Sequence, residues 1–521
     1  MLFRSMTSPF LWSMIDNREI SNLPISSIYR PASGPLAAHI VKTFLLPEHF
    51  DFRRHPHALA LQYFHRYNAT LVDCLRNEGR RIREFFIEVP AVLLPALMDF
   101  PGESLRACEL WPLEGSQDEL GAIRPLFNGS TPELRSLVIG NILFIPSNHF
   151  PSLTHLLLIG GVVFPAPNGP FTFVNFMLFL SRCPNLQTLY LTYLDVTKLQ
   201  ELPVQRIAAP LNLKYLRKLS NDEVPVDRTG RRDLPYVGPQ FRRALLEHLQ
   251  LSPDCVIRLA TILPNDLGRT LHYIPFDKPF TSVYLGGHWQ PEFYASEPNI
   301  IPQECFSIMA TDARRQRGVR IDFQMPGSRY APPDLTTHSA RVLVRDAMRH
   351  APLLSSVHEL WVVPQSTILL AEPGSLFGAL PHLTTLVIGL LPLPRRLDAN
   401  VKFQWEPLYS LEIHDGRVVH CPMLQTLCVF ITTAEHAMQV YSVVLSRGEA
   451  GYPVRRLVVG FYMPPPFTVL ELAEGLWGLV EDFTLIKYWE RCPDDLLWVH
   501  RLPHVCRDPS ERNGWNWPVW M

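Results

Sequence analysis

The stretch CPNLQTLYL, residues 183–191, contains a pattern of proline, leucine and aliphatic residues that recurs along the chain. A proline is followed two residues later by a leucine, then after three more residues by a second leucine, and after two more by an aliphatic residue. At this composition we expect well under about one such match by chance. Five strict copies occur, at residues 132–139, 151–158, 184–191, 381–388 and 422–429.

Four looser copies keep the apolar positions of the pattern without all of its fixed residues. Their apolar residues are Ile82, Phe85 and Ile87; Leu105, Cys108 and Leu110; Val357, Leu360 and Val362; and Val454, Leu457 and Val459. Each copy is weak alone, but together they extend the pattern over most of the chain.

The pattern is typical of a β-strand that follows a turn. Residues in a strand alternate between two faces, so Leu189 and Leu191 are expected to share the inward face. Gln187, next to the turn, is expected to lie outward. Leu186 is expected to anchor the turn into the strand, where a proline costs no ladder hydrogen bond. One such strand cannot bury its apolar side alone, so repeats must stack. We predict that Leu134, Leu153, Leu186, Leu383 and Leu424 each begin a parallel strand of a shared sheet.

Three segments with helical character, residues 171–183, 339–351 and 434–448, lead into strand candidates. In the third, Ala437, Val440, Val444 and Leu445 are expected to share one buried face, and Gly448 to cap its C-terminus. Strands that alternate with helices indicate parallel strands joined by helical crossovers.

The spacing of the copies is irregular. The region 195–345 offers strand candidates at 256–259, 282–285 and 319–323 but no clean repeat. We therefore predict an α/β fold, an irregular leucine-rich-repeat-like solenoid over residues 76–490. Residues 1–75 are expected to form an N-terminal helical or linker segment, and residues 491–521 a tail or a cap.

Composition restricts the class of partner. The chain has 48 Lys and Arg against 49 Asp and Glu, a balance that disfavours nucleic acid or an anionic membrane as a partner bound by bulk charge. We interpret the cluster Arg314, Arg315, Arg317 and Arg320 as a solvated face. Nine scattered cysteines indicate reduced thiols in the cytoplasm or nucleus. We predict no signal peptide and no transmembrane helix.

The chain resembles fungal F-box/leucine-rich-repeat-like proteins, especially those of mushroom-forming fungi. Residues 8–15, SPFLWSMI, are similar to the end of an F-box in that group. The CP-x-L-x-x-L strands match its repeats, and residues 245–260 and 443–459 resemble its sequence for a helix, a proline turn and the next strand. The resemblance covers most of the chain.

The resemblance implies a non-catalytic protein that recognises a protein ligand for a cullin–RING ubiquitin ligase. Only the last dozen residues of an F-box are recognisable, with Pro9, Leu11, Trp12 and Ile15 as the residues that would contact the Skp adaptor. We therefore expect residues 1–521 to bind the adaptor weakly or not at all, unless an F-box segment precedes them. The alternatives are a free-standing repeat scaffold and, more remotely, an enzyme without a recognisable motif.

No nucleotide-binding, zinc-protease, serine-hydrolase or CxxC motif occurs in the sequence, so we predict no catalytic residues and no cofactor. Two groups could in principle hold a metal. Pro503 separates His500 from His504, and Cys492 and Cys506 lack paired spacing. His49, His55, His57 and His65 have no cysteine or carboxylate at a matching spacing. We therefore predict no metal site.

Overall fold

The repeated apolar positions fold the chain into an α/β protein with mostly parallel strands and few helices, as a computed structural model shows. Its described residues form two compact units, divided between Ser252 and Pro253. The structure describes residues 14–16, 38–43, 76, 79–90, 94–113, 123–140, 142, 144–160, 173–192, 194, 211–222, 239–262, 264–274, 279–289, 304–314, 317–324, 337–362, 369–370, 375–388, 406–414, 419–431, 433–461, 471 and 475–486.

The strands of the first unit are short. In the described residues they are β1 (Met14–Asp16), β2 (Ala38–Thr43), β3 (Ile82–Pro90), β4 (Ala107–Leu113), β5 (Ile123–Arg124), β6 (Ser136–Ile139), β7 (Ile145–Pro146), β8 (His155–Ile159), β9 (Thr188–Thr192), β10 (Leu211–Asn212), β11 (Lys218–Asp222) and β12 (Leu249–Gln250). Eight of them pair in parallel in the order β1-β2-β3-β4-β6-β8-β9-β11. The pairs β5–β7 and β10–β12 form two small parallel sheets.

The strands of the second unit include one antiparallel region. In the described residues they are β13 (Val256–Ile262), β14 (Ser282–Trp289), β15 (Glu304–Thr311), β16 (Gly318–Gln324), β17 (Glu359–Val362), β18 (Thr385–Ile388), β19 (Thr426–Ile431), β20 (Arg456–Phe461) and β21 (Asp482–Ile486). They pair in the order β13-β16-β15-β14-β17-β18-β19-β20-β21, and only the pairs of β15 with β14 and β16 are antiparallel.

Helices connect only some of the strands. The α-helices described are α1 (Leu94–Leu97), α2 (Phe173–Ser181), α3 (Pro239–His248), α4 (Leu267–His272), α5 (Thr337–Arg349), α6 (Glu406–Tyr409) and α7 (Ala434–Glu449). Short 3₁₀ helices occur at Gly79–Arg81, Phe127–Gly129, Pro264–Asp266, Leu376–Ala379 and Gly475–Leu479. Within the described ranges, no helix is both long enough and apolar enough to cross a membrane.

All nine copies of the pattern lead into parallel strands, and the inward positions stack in register. One such column in the first unit contains Phe85, Cys108, Leu137, Leu156, Leu189 and Leu219. The corresponding column in the second unit contains Val283, Leu360, Leu386, Leu427 and Leu457. Every one of these side chains is at most 3% exposed, so the columns form the cores of the two units.

The first leucine of each strict copy lies in the turn and not in the strand, so the predicted starting residues are wrong by two positions. Leu186 is fully buried, and its N–H donates to the carbonyl of Cys183 at 3.2 Å, while β9 begins at Thr188. The other four strict copies form the same turn, with Leu134, Leu153, Leu383 and Leu424 donating to the residue three positions earlier. The leucine therefore closes the turn, which agrees with the prediction that it anchors the turn into the strand.

The outward positions are less exposed than simple alternation suggests. Gln187 is exposed, but Val138, Tyr190 and Cys428 are buried although they lie between inward residues. Parallel strands that are covered on both faces have near-continuous apolar sequences. This is the composition of β6, β18, β19 and β20.

The three predicted helices correspond to α2, α5 and α7, with two corrections in α7. Gly448 lies inside the helix, and the left-handed residue after its end is Gly451, at a φ of 82°. Leu445 is 37% exposed, and Val443 is buried instead. Because Val443 precedes Val444, the buried face of α7 is wider than the predicted stripe.

The cysteines that precede two of the strict copies are buried thiols. Cys183 Sγ donates to the Phe179 carbonyl and Cys421 Sγ to the Phe377 carbonyl, at 3.4 and 3.6 Å. Burial raises the pKa of Cys183 well above its usual range and that of Cys421 to about 12. Reactive cysteines are stabilised as thiolates, so these two residues have a structural role.

The domain boundaries predicted at 75/76 and 490/491 remain predictions. The irregular region 195–345 contains the antiparallel strands β14, β15 and β16, which explains its lack of a clean repeat. The candidates at 256–259, 282–285 and 319–323 lie in β13, β14 and β16, whereas β15 was not predicted.

Substitutions within one repeat test this register. We expect Leu189→Ala to lower the free energy of unfolding by roughly 2–5 kcal/mol, because it removes a fully buried leucine. Gln187→Ala, two residues earlier and exposed, should change it by less than about 0.5 kcal/mol. Urea unfolding of both variants measures the difference, and equal tolerance of the two changes would contradict the register.

Candidate functional site

The residues predicted to contact the Skp adaptor are only partly covered by the structure. Pro9, Leu11 and Trp12 lie outside the described residues. Ile15 lies in β1, where its backbone pairs with Ile40 of β2. The metal candidates Cys492, His500, His504 and Cys506, and the histidines between His49 and His65, also lie outside the described residues.

The most regular surface feature of the first unit is a row of residues at the starts of its strands. We call this the strand-start row; its members are Arg83, Arg106, Arg135, Thr154, Gln187 and Arg217. They directly precede six residues that pair in register from strand to strand: Glu84, Ala107, Ser136, His155, Thr188 and Lys218. The six residues therefore occupy equivalent positions on neighbouring strands.

Backbone hydrogen bonds fix this row. The Arg135 carbonyl accepts from the N–H groups of both Thr154 and His155, each at 2.9 Å. The carbonyls of Arg106, Thr154 and Gln187 likewise accept from two successive residues of the next repeat, at 2.7–3.1 Å. Because the carbonyls carry these bonds, the side chains remain available for other contacts.

Four of the six side chains are exposed arginines. Within the part of the chain that the structure describes, the guanidinium groups of Arg83, Arg106, Arg135 and Arg217 form no hydrogen bond and no ion pair. Arg83, Arg106 and Arg135 lie on three consecutive strands, and adjacent strands are about 4.8 Å apart. The row therefore presents closely spaced, uncompensated positive charge.

A tryptophan lies on β4, the second of these three strands. Trp111 Nε1 donates to Glu109 Oε1 at 2.5 Å, and the indole ring covers Gly140, where a Cβ atom would overlap it. Burial raises the pKa of Glu109, and the bond from Trp111 partly offsets this. The Glu109 carboxyl accepts the indole bond, which holds the ring in place over Gly140.

A histidine follows the row on β8. His155 is half-buried, and burial together with the positive charge of Lys218 lowers its pKa. Its Nδ1 lies 2.8 Å from Thr154 Oγ1. Charge in this part of the surface therefore comes from arginine and lysine rather than from histidine.

The second unit contains a buried ionic cluster. Arg320 Nε donates to both carboxylate oxygens of Asp322, at 2.8 and 2.9 Å, and Arg258 Nε lies 3.5 Å from Asp322. Arg258 and Arg320 are register partners on β13 and β16, so the carboxylate lies close to two like charges that would otherwise repel. Tyr284 has a pKa raised by burial, which the charge of Arg320 partly offsets.

This cluster corrects the interpretation of residues 314–320 as a solvated face. Arg314 is exposed, but Arg320 is 1% exposed and Arg317 is 2% exposed. The Arg317 guanidinium packs over the ring of Phe280 at 4.3 Å. Sequence alone did not show that β16 places alternate charged residues on a covered face.

The described ranges contain no group of three or more His, Cys, Asp or Glu residues placed to hold a metal ion. His272, Asp346 and His350 line a cleft between α4 and α5, but all three side chains are exposed. The cleft therefore lacks the buried, activated acid or base that an active site uses.

We compared the chain with protein-family models and with curated proteins, and neither comparison gave a match.

The buried cluster has a testable effect on stability. We expect Asp322→Asn to lower the free energy of unfolding by about 3–5 kcal/mol, because two buried guanidinium groups lose their shared carboxylate. Asp482→Asn is the matched control, since its pair with Arg456 is largely exposed and contributes about 1 kcal/mol or less. Equal losses in the two variants, measured by urea unfolding, would contradict the role assigned to Asp322.

Proposed function

We propose that this chain is a non-catalytic recognition protein, a leucine-rich-repeat-like solenoid that binds a protein ligand through the strand-start row and the strands beside it. The observation that carries the proposal is the fixed backbone of this row, which presents side chains of different chemistry at equivalent positions. A surface of this kind is pre-organised, so binding a partner costs little ordering of the backbone.

The composition of the surface also supports protein recognition. Arginine and aromatic residues are enriched at the centres of protein interfaces. Arg106 directly precedes β4, and the half-buried Trp111 lies further along the same strand, its ring held over Gly140 by the bond to Glu109. Leu157 and Ile159, further along β8, are half-buried and add apolar area on that strand.

The resemblance to F-box/leucine-rich-repeat-like proteins gives this recognition a context. In that context the chain selects a substrate for a cullin–RING ubiquitin ligase, and Pro9, Leu11, Trp12 and Ile15 are the candidate contacts of the Skp adaptor. The alternative is a free-standing scaffold without ligase contact. The pairing of Ile15 with Ile40 favours this alternative, because it engages the Ile15 backbone in the sheet.

Site-specific photo-crosslinking tests the proposal in a cell extract. A photoreactive residue replaces Gln187, an exposed member of the row, or Met438, which is 52% exposed on α7. We expect a discrete crosslinked protein from position 187 and little from position 438, because the row is the proposed binding surface. Recovery of the Skp adaptor with the wild-type chain, and its loss in the Trp12→Ala variant, would support the ligase context.

The proposal fails if position 187 gives no discrete crosslink, or gives the same products as position 438. Thermal unfolding of both variants provides the control that the chain is folded. If no Skp adaptor is recovered while the crosslink at position 187 is present, the scaffold is favoured over the ligase receptor.

A further inference from the structure

We propose that the strand-start row binds an acidic segment of the protein ligand, through Arg83, Arg106 and Arg135, with Arg217 as an outlying fourth contact. This inference rests on the proposed function, because it specifies the chemistry of the partner at that surface. Carboxylate groups of Asp or Glu residues are the ligands that it assigns to the row.

The arginines of the row differ from their neighbours in lacking partners. Arg76 pairs with Asp99 at 3.1 Å, and Arg80 pairs with Glu103 at 3.8 Å, on the same unit. Within the described ranges, the guanidinium groups of Arg83, Arg106 and Arg135 form no ion pair. Asp99 and Glu103 are thus paired with arginines beside the row and not with those of the row.

The row also places like charges where they repel. Residues directly opposite on neighbouring strands interact, and like charges in such positions are destabilising. The backbone bonds hold Arg106 next to Arg135 regardless of this repulsion. A bound acidic segment would remove the repulsion, so binding gains more than the direct ion pairs alone provide.

The equivalent row of the second unit shows that the repeat itself does not require arginine. Its members are Thr281, His358, Thr384, Gln425, Arg455 and Glu481. They use the same backbone bonds, and the single arginine lies 3.9 Å from Glu481. Positive charge is therefore a local property of the first unit.

The spacing suits carboxylates. Consecutive arginines are about 4.8 Å apart at the backbone, and three of them span about 10 Å. Acidic side chains on one face of a helix are about 5–6 Å apart, and long arginine side chains adapt to that difference. The planar guanidinium group binds a carboxylate through two parallel hydrogen bonds, so each contact is directional as well as electrostatic.

Nucleic acid fits the same charges less well. Sequence-independent binding to a phosphate backbone depends on many contacts along a basic surface, whereas the whole chain has a net charge of −1. Single-strand binding further uses accessible aromatic rings for stacking. Trp111 lies further along β4 than the row, and Tyr190 is buried, so neither offers a stacking face at the row.

Fluorescence anisotropy with a labelled oligoglutamate peptide tests the inference on the full chain. We expect binding at about 0.05 M NaCl that weakens strongly by about 0.5 M, because exposed ion pairs are screened. The double variant Arg106→Glu/Arg135→Glu should bind at least about tenfold more weakly.

The matched control is Arg455→Glu/Arg349→Glu, which makes the same charge change at exposed positions of the second unit, one of them in its equivalent row. This variant should retain wild-type affinity for oligoglutamate. Arg106→Gln/Arg135→Gln, which keeps the backbone bonds and adds no negative charge, should also lose binding, and its thermal unfolding temperature should be no lower than that of wild type.

Three results would overturn the inference. The first is the absence of binding to oligoglutamate up to about 1 mM. The second is a loss of affinity in Arg455→Glu/Arg349→Glu equal to that in Arg106→Glu/Arg135→Glu. The third is tighter binding of a labelled oligothymidine of equal length, abolished in Arg106→Glu/Arg135→Glu. A crosslink from position 187 combined with any of these results would leave protein recognition standing and remove only the acidic partner.

Discussion

In both units, the peptide carbonyl just before a repeated strand accepts hydrogen bonds from two successive N–H groups of the next repeat, and this contact sets how neighbouring strands align. It occurs at Arg106, Arg135, Thr154 and Gln187 in the first unit, and at Thr281, His358, Thr384 and Gln425 in the second. Buried peptide groups must find partners, and this arrangement provides them at the point where the turn becomes a strand. It also fixes the register, because a slip of one residue would exchange the two faces of a strand.

A fixed register explains how irregular repeats build a regular surface. Leu134, Leu153 and Leu186 are 19 and 33 residues apart, yet their strands pair with the same offset. The extra residues lie in the connections, where added length costs little closure entropy. The inward positions therefore stack into continuous columns, while the strand-start positions align at the surface. In the first unit this alignment brings together arginines that are widely separated in sequence.

The sequence predicted the repeated elements well, because each strict copy carries its own turn, anchor and inward leucine. It placed the strand starts two residues early, since Leu186 and its equivalents close the turn instead of opening the strand. It missed β15, whose residues Glu304–Thr311 lack the proline and the anchoring leucine. The strand-start arginines follow the anchors Ile82, Leu105, Leu134 and Leu216 directly, so aligning the copies on these anchors would have revealed them. Burial of Arg320 could not be inferred, because it depends on the antiparallel pairing of β15 with β16.

Amide hydrogen exchange at the strand starts measures the central contact most directly. The N–H groups of Gln187, Thr188, Gln425 and Thr426 donate to the preceding repeat and should exchange as slowly as those of Leu189 and Leu427 within the strands. The N–H of the exposed residue Asn185, which lies in the preceding turn, provides the reference for rapid exchange. We expect slow exchange at the four donating amides. Exchange at Gln187 and Thr188 as fast as at Asn185 would contradict it, because the strand starts would then not be joined from one repeat to the next.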